Sequence, residues 1–465
     1  VLSAPLTLNV EKNRFWMKKK NVLLIVCHDL GQHLNCYGNK SVHSPHLDRM
    51  AREGVLFENN FCTSPGCSPS RAAIMTGRFP HSNGVFGLSH ADFLWRFNEG
   101  EKHIAQILSE NGYQTAVTGH WHENDRIDNV GYQQSVIERN GSLVVVDEPP
   151  RGMCNLFAPD VSKRACFYLN RKAAEDKPFF LYVGFFEPHR PFDFKGAGPD
   201  REHGVDIPGY IPQTTAAEKA AADEEFAALQ GSIRVMDQAV GQVMAKIEEL
   251  GMKDDTLVLF TCDHGLAMPR AKCSLYDPGI ETPLILWGGG SQWVRRAGAR
   301  HECLVSNVDY VPTILDALDI SVPENVQGRS LFPLLSGGDY QEADEIFAEK
   351  TYHRNYDPIR CIRTKTHKYI INFELNTLYD APSDIMQGAI YRTSVGKYMD
   401  LRPRYELYDL QNDPWERNNL AENPDCAALR KELHSRLVVW MKETGDALLE
   451  GPVKSVYYDK IMETL

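Results

Sequence analysis

Cys67 opens the segment Cys67-Ser-Pro-Ser-Arg71-Ala-Ala-Ile-Met-Thr76-Gly77, in which a small polar residue and a proline lead into an apolar, helix-compatible stretch. Proline is favoured at a helix start, because the N–H it lacks would have no partner there. The segment predicts Cys67 at or just before a helix N-terminus, where unpaired N–H groups and the helix dipole favour an anion. Arg71, four residues on, falls on the same face one turn deeper and can direct its charge back toward Cys67. From the residues alone this is either an anion site with a thiol nucleophile or a buried cysteine at a helix cap. Two pairs, His28-Asp29 and Asp263-His264, each close an apolar, β-favouring run. A single pair of this kind is more often a loop cap. Two of them, each at the end of a strand, sit where an open α/β sheet puts its site.

The elements that must position these residues alternate. Asn21–Cys27 is a continuous apolar run of the kind found in a central parallel strand buried on both faces. Asp48–Gly54 reads as the end of a helix with Gly54 as its stop. The helical stretch Ile104–Asn111 leads into a strand at Thr115–Thr118, Phe179–Phe185 is another strand, and the long helix Ala216–Leu250 precedes the strand Thr256–Cys262. Strands alternating with helices predict an α/β fold around a mostly parallel sheet. Functional groups in such sheets collect at the carboxyl ends of the strands. Past Ser336-Gly-Gly-Asp339 the texture changes to short strands at Glu345–Ala348, Cys361–Thr364, Tyr369–Asn372 and Glu406–Asp409, with a closing helix over Asp425–Thr444. The expected organisation is a catalytic domain over 17–335 and a smaller α+β domain on an antiparallel sheet over 336–465.

A chain of 465 residues exceeds what one core usually holds, about 250–300 residues. Hydrophobic residues make up 43% and charged residues 24%, and no apolar run approaches the roughly 18 residues of a membrane span. The net charge of −12 argues against nucleic acid as the main partner, while an anionic small substrate needs only local positive charge. Eleven cysteines cannot all pair internally, and Cys27, Cys62, Cys262 and Cys361 lie within or beside apolar stretches, as reduced buried thiols do. Met17-Lys-Lys-Lys20 resembles an initiation site, so residues 1–16 read as a leader or extension. The following apolar run is too short for a signal peptide, and a cytoplasmic location is expected.

The segment from Cys67 to Gly77 matches C-x-P-S-R-x-x-x-x-T-G, and on it the chain resembles the sulfatase family of the alkaline-phosphatase superfamily. The likeness runs from Asn21 to about Trp440. Pro80-His-Ser-Asn-Gly-Val-Phe-Gly-Leu88, Leu275-Tyr-Asp-Pro-Gly279 and Tyr405-Glu-Leu-Tyr-Asp-Leu410 resemble its heparan N-sulfatase (N-sulfoglucosamine sulfohydrolase) branch, as do Pro178-Phe-Phe-Leu-Tyr-Val183 and Pro188-His-Arg190. The resemblance implies an alkaline-phosphatase-like fold and hydrolysis of a sulfate ester or sulfamate on a sugar. It also implies that a separate formylglycine-generating enzyme oxidises Cys67 to formylglycine, whose hydrate attacks sulfur and then expels sulfate as the aldehyde reforms. The family binds calcium through acids and an amide. Here the implied ligands are His28, Asp29, Cys67, Asp263 and His264, and the two imidazoles turn the donor set toward zinc, manganese or iron.

Around the sulfate the resemblance places several further groups. His122 matches a family histidine and His120 stands where the family has lysine. His189 matches the histidine proposed to act on the hydrate or leaving group, and Lys272 matches the second sulfate-binding lysine. Arg71 completes the catalytic set, while Glu187 and Arg190 follow a strand and are expected to bind substrate. Tyr352, His353, Arg354 and Arg363 come from the second domain, and whether they reach the cleft stays open. Two other readings remain: a phosphodiesterase or phosphonate monoester hydrolase, whose members also pair Asp with His at the second metal position, and a catalytically silent anion-binding protein.

Overall fold

A computed structural model describes residues 20–90, 94–124, 130–148, 156–290 and 296–465. The expected leader and initiation site lie outside the described residues. Nine described strands form one sheet: β1 (Asn21–Cys27), β2 (Val55–Phe61), β3 (Gln114–Gly119), β4 (Gln134–Arg139), β5 (Ser142–Val146), β6 (Phe179–Gly184), β7 (Thr256–Cys262), β8 (Leu284–Gly288) and β9 (Ala299–Ser306). Their order is β5-β4-β3-β6-β1-β7-β8-β2-β9. The five central strands from β4 to β7 run parallel, and β5 and β8 are antiparallel to their neighbours.

Burial on both faces explains the continuous apolar run of β1. Leu23, Ile25 and Cys27 enter one core with the helices Pro45–Glu53, Ala158–Lys172 and Ala216–Glu249. Val22, Leu24 and Val26 enter the other with Ile104–Glu110 and Tyr310–Ala317. With period-2 side chains and helices on each side, neither face tolerates a polar residue. The expected strands and helices in this half occur within two residues of their anticipated limits. Strands β2, β4, β5, β8 and β9 were not anticipated. Most of them alternate or are only partly apolar, as Ala299–Ser306 is with its first half exposed, while Leu284–Gly288 is apolar and buried but only five residues long.

The second sheet contains β10 (Glu345–Tyr352), β11 (Tyr356–Thr364), β12 (His367–Asn372) and β13 (Tyr405–Asp409), antiparallel throughout. The closing helix Ala427–Glu443 covers one face through Leu433, Leu437 and Trp440. The other face, including Ile359, Cys361 and Ile370, packs on Phe61, Leu275 and Tyr276 of the first half. A polar tie crosses the same junction: Lys368, fully buried, lies 2.6 Å from Asp277 of the first half and 2.7 Å from Glu416 of its own. The ten described cysteines are unpaired, and Cys27, Cys62, Cys262 and Cys361 are buried. No helix among the described residues is long and apolar enough to cross a membrane.

Candidate functional site

Strand register brings the chemistry together. Cys27 pairs with Cys262 across β1 and β7, so His28-Asp29 and Asp263-His264 leave neighbouring strands at one level. Gly119 and Gly184 pair across β3 and β6, so His120, His122 and His189 follow from the same edge. This last pair of strands closes tightly because both residues are glycine. A Cβ on Gly184 would sit 1.7 Å from the His120 carbonyl oxygen, and Gly119 has φ +82°.

Cys67 is the first residue of the helix Cys67–Thr76, with Gly66 as N-cap, as its segment predicts. Its side chain is 3% exposed. One ligand atom from each of His28, Asp29, Cys67, Asp263 and His264 lies within 4.8 Å of all the others. Asp29 adopts φ +52°, the left-handed conformation that aspartate tolerates better than most residues. Asp263 is the central node. Its Oδ1 accepts hydrogen bonds from the backbone N–H groups of Asp29 and His264, both 2.9 Å, while Oδ2 lies 3.0 Å from Arg71 Nε and 3.2 Å from His28 Nδ1. Arg71 also donates to the Tyr182 hydroxyl at 2.6 Å and to the Cys27 carbonyl at 3.1 Å. Arg71 therefore orients the carboxylate beside Cys67 instead of reaching the sulfur directly.

The residues present fit a divalent cation. His264 Nδ1 lies 3.1 Å from the Gly265 carbonyl, which can only accept, so Nδ1 carries the hydrogen and Nε2 the lone pair. That lone pair faces Asp29 Oδ1 at 2.9 Å and Cys67 Sγ at 3.4 Å. Electron pairs converging this closely require a positive charge between them, either a proton or a metal ion. A metal-ligating histidine commonly donates its other N–H to a carbonyl in this way. Without an ion protons fill that place. Burial opposes charge on His28, yet Asp263 and Asp29 raise it to about 9, and the same carboxylates raise His264. Two imidazole nitrogens with two carboxylates form a mixed N/O set closer to zinc, manganese or iron than to calcium.

Positive charge comes from one side. Lys272, 1% exposed, lies 2.7 Å from Asp29 Oδ2 and 2.9 Å from Asp384 Oδ2. It also approaches His189 Nε2 at 3.3 Å. Although burial disfavours a thiolate, Lys272, His28 and His264 together hold the Cys67 thiol well below its usual range. His189 Nδ1 sits 2.6 Å from the Arg190 carbonyl, so its Nε2 is the acceptor. Burial and Lys272 depress its pKa to about 4, which keeps the ring neutral. His120 and His122 group with His28, and burial lowers both. Neither His120 ring nitrogen has a hydrogen-bond partner among the described residues. His120 is thus a neutral group beside His28.

Two expected substrate groups are engaged elsewhere. Glu187 is fully buried and its Oε1 accepts from Ala158 N at 2.8 Å, at the start of the helix Ala158–Lys172. Arg190 is 7% exposed, donates to the Ala267 carbonyl at 2.7 Å and lies 2.5 Å from Glu225. It ties the long helix to the site loop and is no free cation for a sulfate. From the second domain, Arg363 pairs with Asp277 at 2.9 Å and Tyr352 donates to the Val453 carbonyl at 2.8 Å. His353 does reach the Cys67 end of the site, where its ring lies 3.6 Å from the place a Cβ on Gly66 would take.

Asp384 was missed by sequence reasoning. It lies on the four-residue helix Ser383–Met386, 112 residues from the lysine it holds, and no local pattern marks it. Removing its charge by Asp384→Asn is expected to lower kcat about tenfold, the effect of weakening one charged hydrogen bond, with little change in KM or melting temperature. An unchanged kcat refutes a positioning role for Asp384.

Comparison with known proteins follows the same outline. Residues 20–320 match the family described as Sulfatase, and residues 267–395 match N-sulphoglucosamine sulphohydrolase, C-terminal. Human N-sulphoglucosamine sulphohydrolase is 30% identical over 94% of this chain and 92% of that protein. An ulvan-active sulfatase of Formosa agariphila is 29% identical over 96% of this chain and 84% of its own. Among solved structures, one in complex with its substrate D-glucosamine-2-N,6-O-disulfate superposes with a TM-score of 0.69 at 20% identity, covering 92% of this chain and 99% of that one.

Proposed function

Because this chain belongs to the sulfatase family and is a hydrolase of sulfate esters or sulfamates, we propose that its substrate is a small sulfated sugar, with N-sulfated glucosamine the leading candidate. The observation that carries this reading is the convergence of Cys67, at a helix N-terminus, with four further ligand atoms and a buried lysine. The glucosamine assignment is supported by the likeness to the human N-sulphoglucosamine sulphohydrolase along nearly the whole chain. Oxidised to formylglycine by a separate maturation enzyme, residue 67 would supply a geminal diol as nucleophile. A divalent ion held by His28, Asp29, residue 67, Asp263 and His264 would supply Lewis acidity.

The chain's own groups do the rest. Lys272 presents its ammonium to the sulfate oxygens, on which negative charge accumulates in the transition state. Asp29 and Asp384 hold that ammonium in place and keep it charged, burial notwithstanding. His189, neutral with Nε2 as acceptor, is arranged to accept a proton, and the Lys272 ammonium 3.3 Å away is the group placed to give one to the leaving group. His122 and His353 line the sulfur side of residue 67, and the protein around them excludes water from the charged groups. In this reading the catalytic unit spans 17–335, and 336–465 completes it with His353 and Asp384.

The test is sulfate release from glucosamine N-sulfate and from its 6-O-sulfated form by protein produced with a formylglycine-generating enzyme. A phosphonate monoester is assayed beside them. Turnover of a sulfated sugar is the expected result. Hydrolysis of the phosphonate alone, by protein whose residue 67 is converted, would overturn the sulfated-sugar assignment.

A further inference from the structure

A cavity of about 340 Å³ lies between the turn at residues 31–39 and the loop at residues 206–210, and none of the candidate ligands or histidines around Cys67 lines it. Its volume is within the range of about 300–1,000 Å³ common for small-molecule sites. Trp415, 36% exposed, and Tyr210 line it together, with ring centroids 5.8 Å apart. Glu281 and Asp206 add two carboxyl groups, Glu281 pushed up to about 7 by burial and by Asp277, and no Lys or Arg is among the described lining residues, while Arg270 and Arg417 donate to the carbonyls of the lining residues Trp415 and Gly209.

The remaining polar groups are mostly acceptors. The Gln32 side-chain amide donates to the carbonyls of Glu58 and Thr282, at 2.9 and 3.2 Å. That of Asn39 donates to the carbonyls of Gln32 and Leu34, at 2.9 and 3.3 Å. Both leave their side-chain oxygens for another donor. Burial depresses His33 to about 4, so it brings no positive charge. His33 Nε2 and the Tyr210 hydroxyl have no partner among the described residues, although the side chains are only 2% and 7% exposed. Buried polar atoms of this kind are normally satisfied, by a ligand group or by a bound water.

We propose that this cavity is a second, non-catalytic binding site for a small organic ammonium compound, an amino sugar with a free amine being the matching class. Carboxylates attract the ammonium, an aromatic face adds cation–π attraction, and the free oxygens accept from its N–H and hydroxyl groups. The inference is independent of the reaction assigned to Cys67.

Calorimetric titration of the full chain with glucosamine tests it, with N-acetylglucosamine as the neutral probe. Wild-type protein is expected to bind glucosamine saturably, at least about tenfold more tightly than N-acetylglucosamine. Glu281→Gln and Trp415→Ala are each expected to weaken that binding about tenfold while turnover of a sulfated substrate is unchanged. Equal binding of the two sugars overturns the ammonium preference. Glucosamine binding unaffected by both variants places the ligand elsewhere, and the absence of saturable binding reduces the cavity to a solvent-filled cleft. Either result overturns the site.

Discussion

Cys67→Ala is expected to lower turnover of any sulfated substrate by at least about 10⁴-fold, the usual scale for loss of a nucleophile. The fold should survive. Cys67 is a small buried residue at a helix start, and alanine keeps the helix Cys67–Thr76 and its Gly66 N-cap. Unmodified Cys67 should be nearly as inactive as alanine, because a thiol cannot form the geminal diol on which the proposed cleavage depends. Mass measurement of the peptide carrying residue 67 separates the two cases. Activity should scale with the converted fraction. Appreciable turnover by Cys67→Ala, or by protein with only cysteine at 67, would sink the nucleophile assignment.

Asp263→Ala should remove metal and activity together and also destabilise the protein. Asp263 faces the Arg71 guanidinium at 3.0 Å and His28 at 3.2 Å, and accepts two backbone hydrogen bonds, with its own side chain fully buried. Its removal leaves a buried arginine short of its counter-charge, a change that typically costs about 3–5 kcal/mol. Asp263→Asn preserves shape and one acceptor oxygen, so its stability loss should be smaller while metal is still lost. Metal content of the purified variants and their melting temperatures measure the two effects separately. Full metal occupancy in Asp263→Ala would show that this carboxylate is no ligand. Chelation of wild-type protein should reproduce the loss of activity, and readdition of zinc, manganese, iron or calcium in turn would identify the ion that the donor set prefers.

Much of this molecule was legible in the chain because the information is local. Asn21–Cys27 and Thr256–Cys262 are apolar throughout since both faces of a central strand are covered, and that pattern announces a parallel sheet. The polar pairs that end these runs mark the strand termini where sites form, and the motif from Cys67 to Gly77 carries its own helix start and its own chemistry. Those features determined the fold class and the family, and the family resemblance implied the five-residue cluster.

Other assignments depended on what the folded chain does with charges whose partners are distant. Arg190 and Glu187 follow a strand just as His189 does, yet Arg190 is held by Glu225 of the long helix and Glu187 by the start of another. Conversely, Asp384 lies in an unremarkable segment, and only the packing of the second domain brings it to Lys272. Edge strands such as Ala299–Ser306, half exposed, lack the doubly buried pattern that made the central ones visible. Local sequence sets which groups can do chemistry and which strand ends carry them. Tertiary structure alone decides which charges are neutralised by a neighbour and which face residue 67, because Coulomb and hydrogen-bond partners are chosen in space and not along the chain.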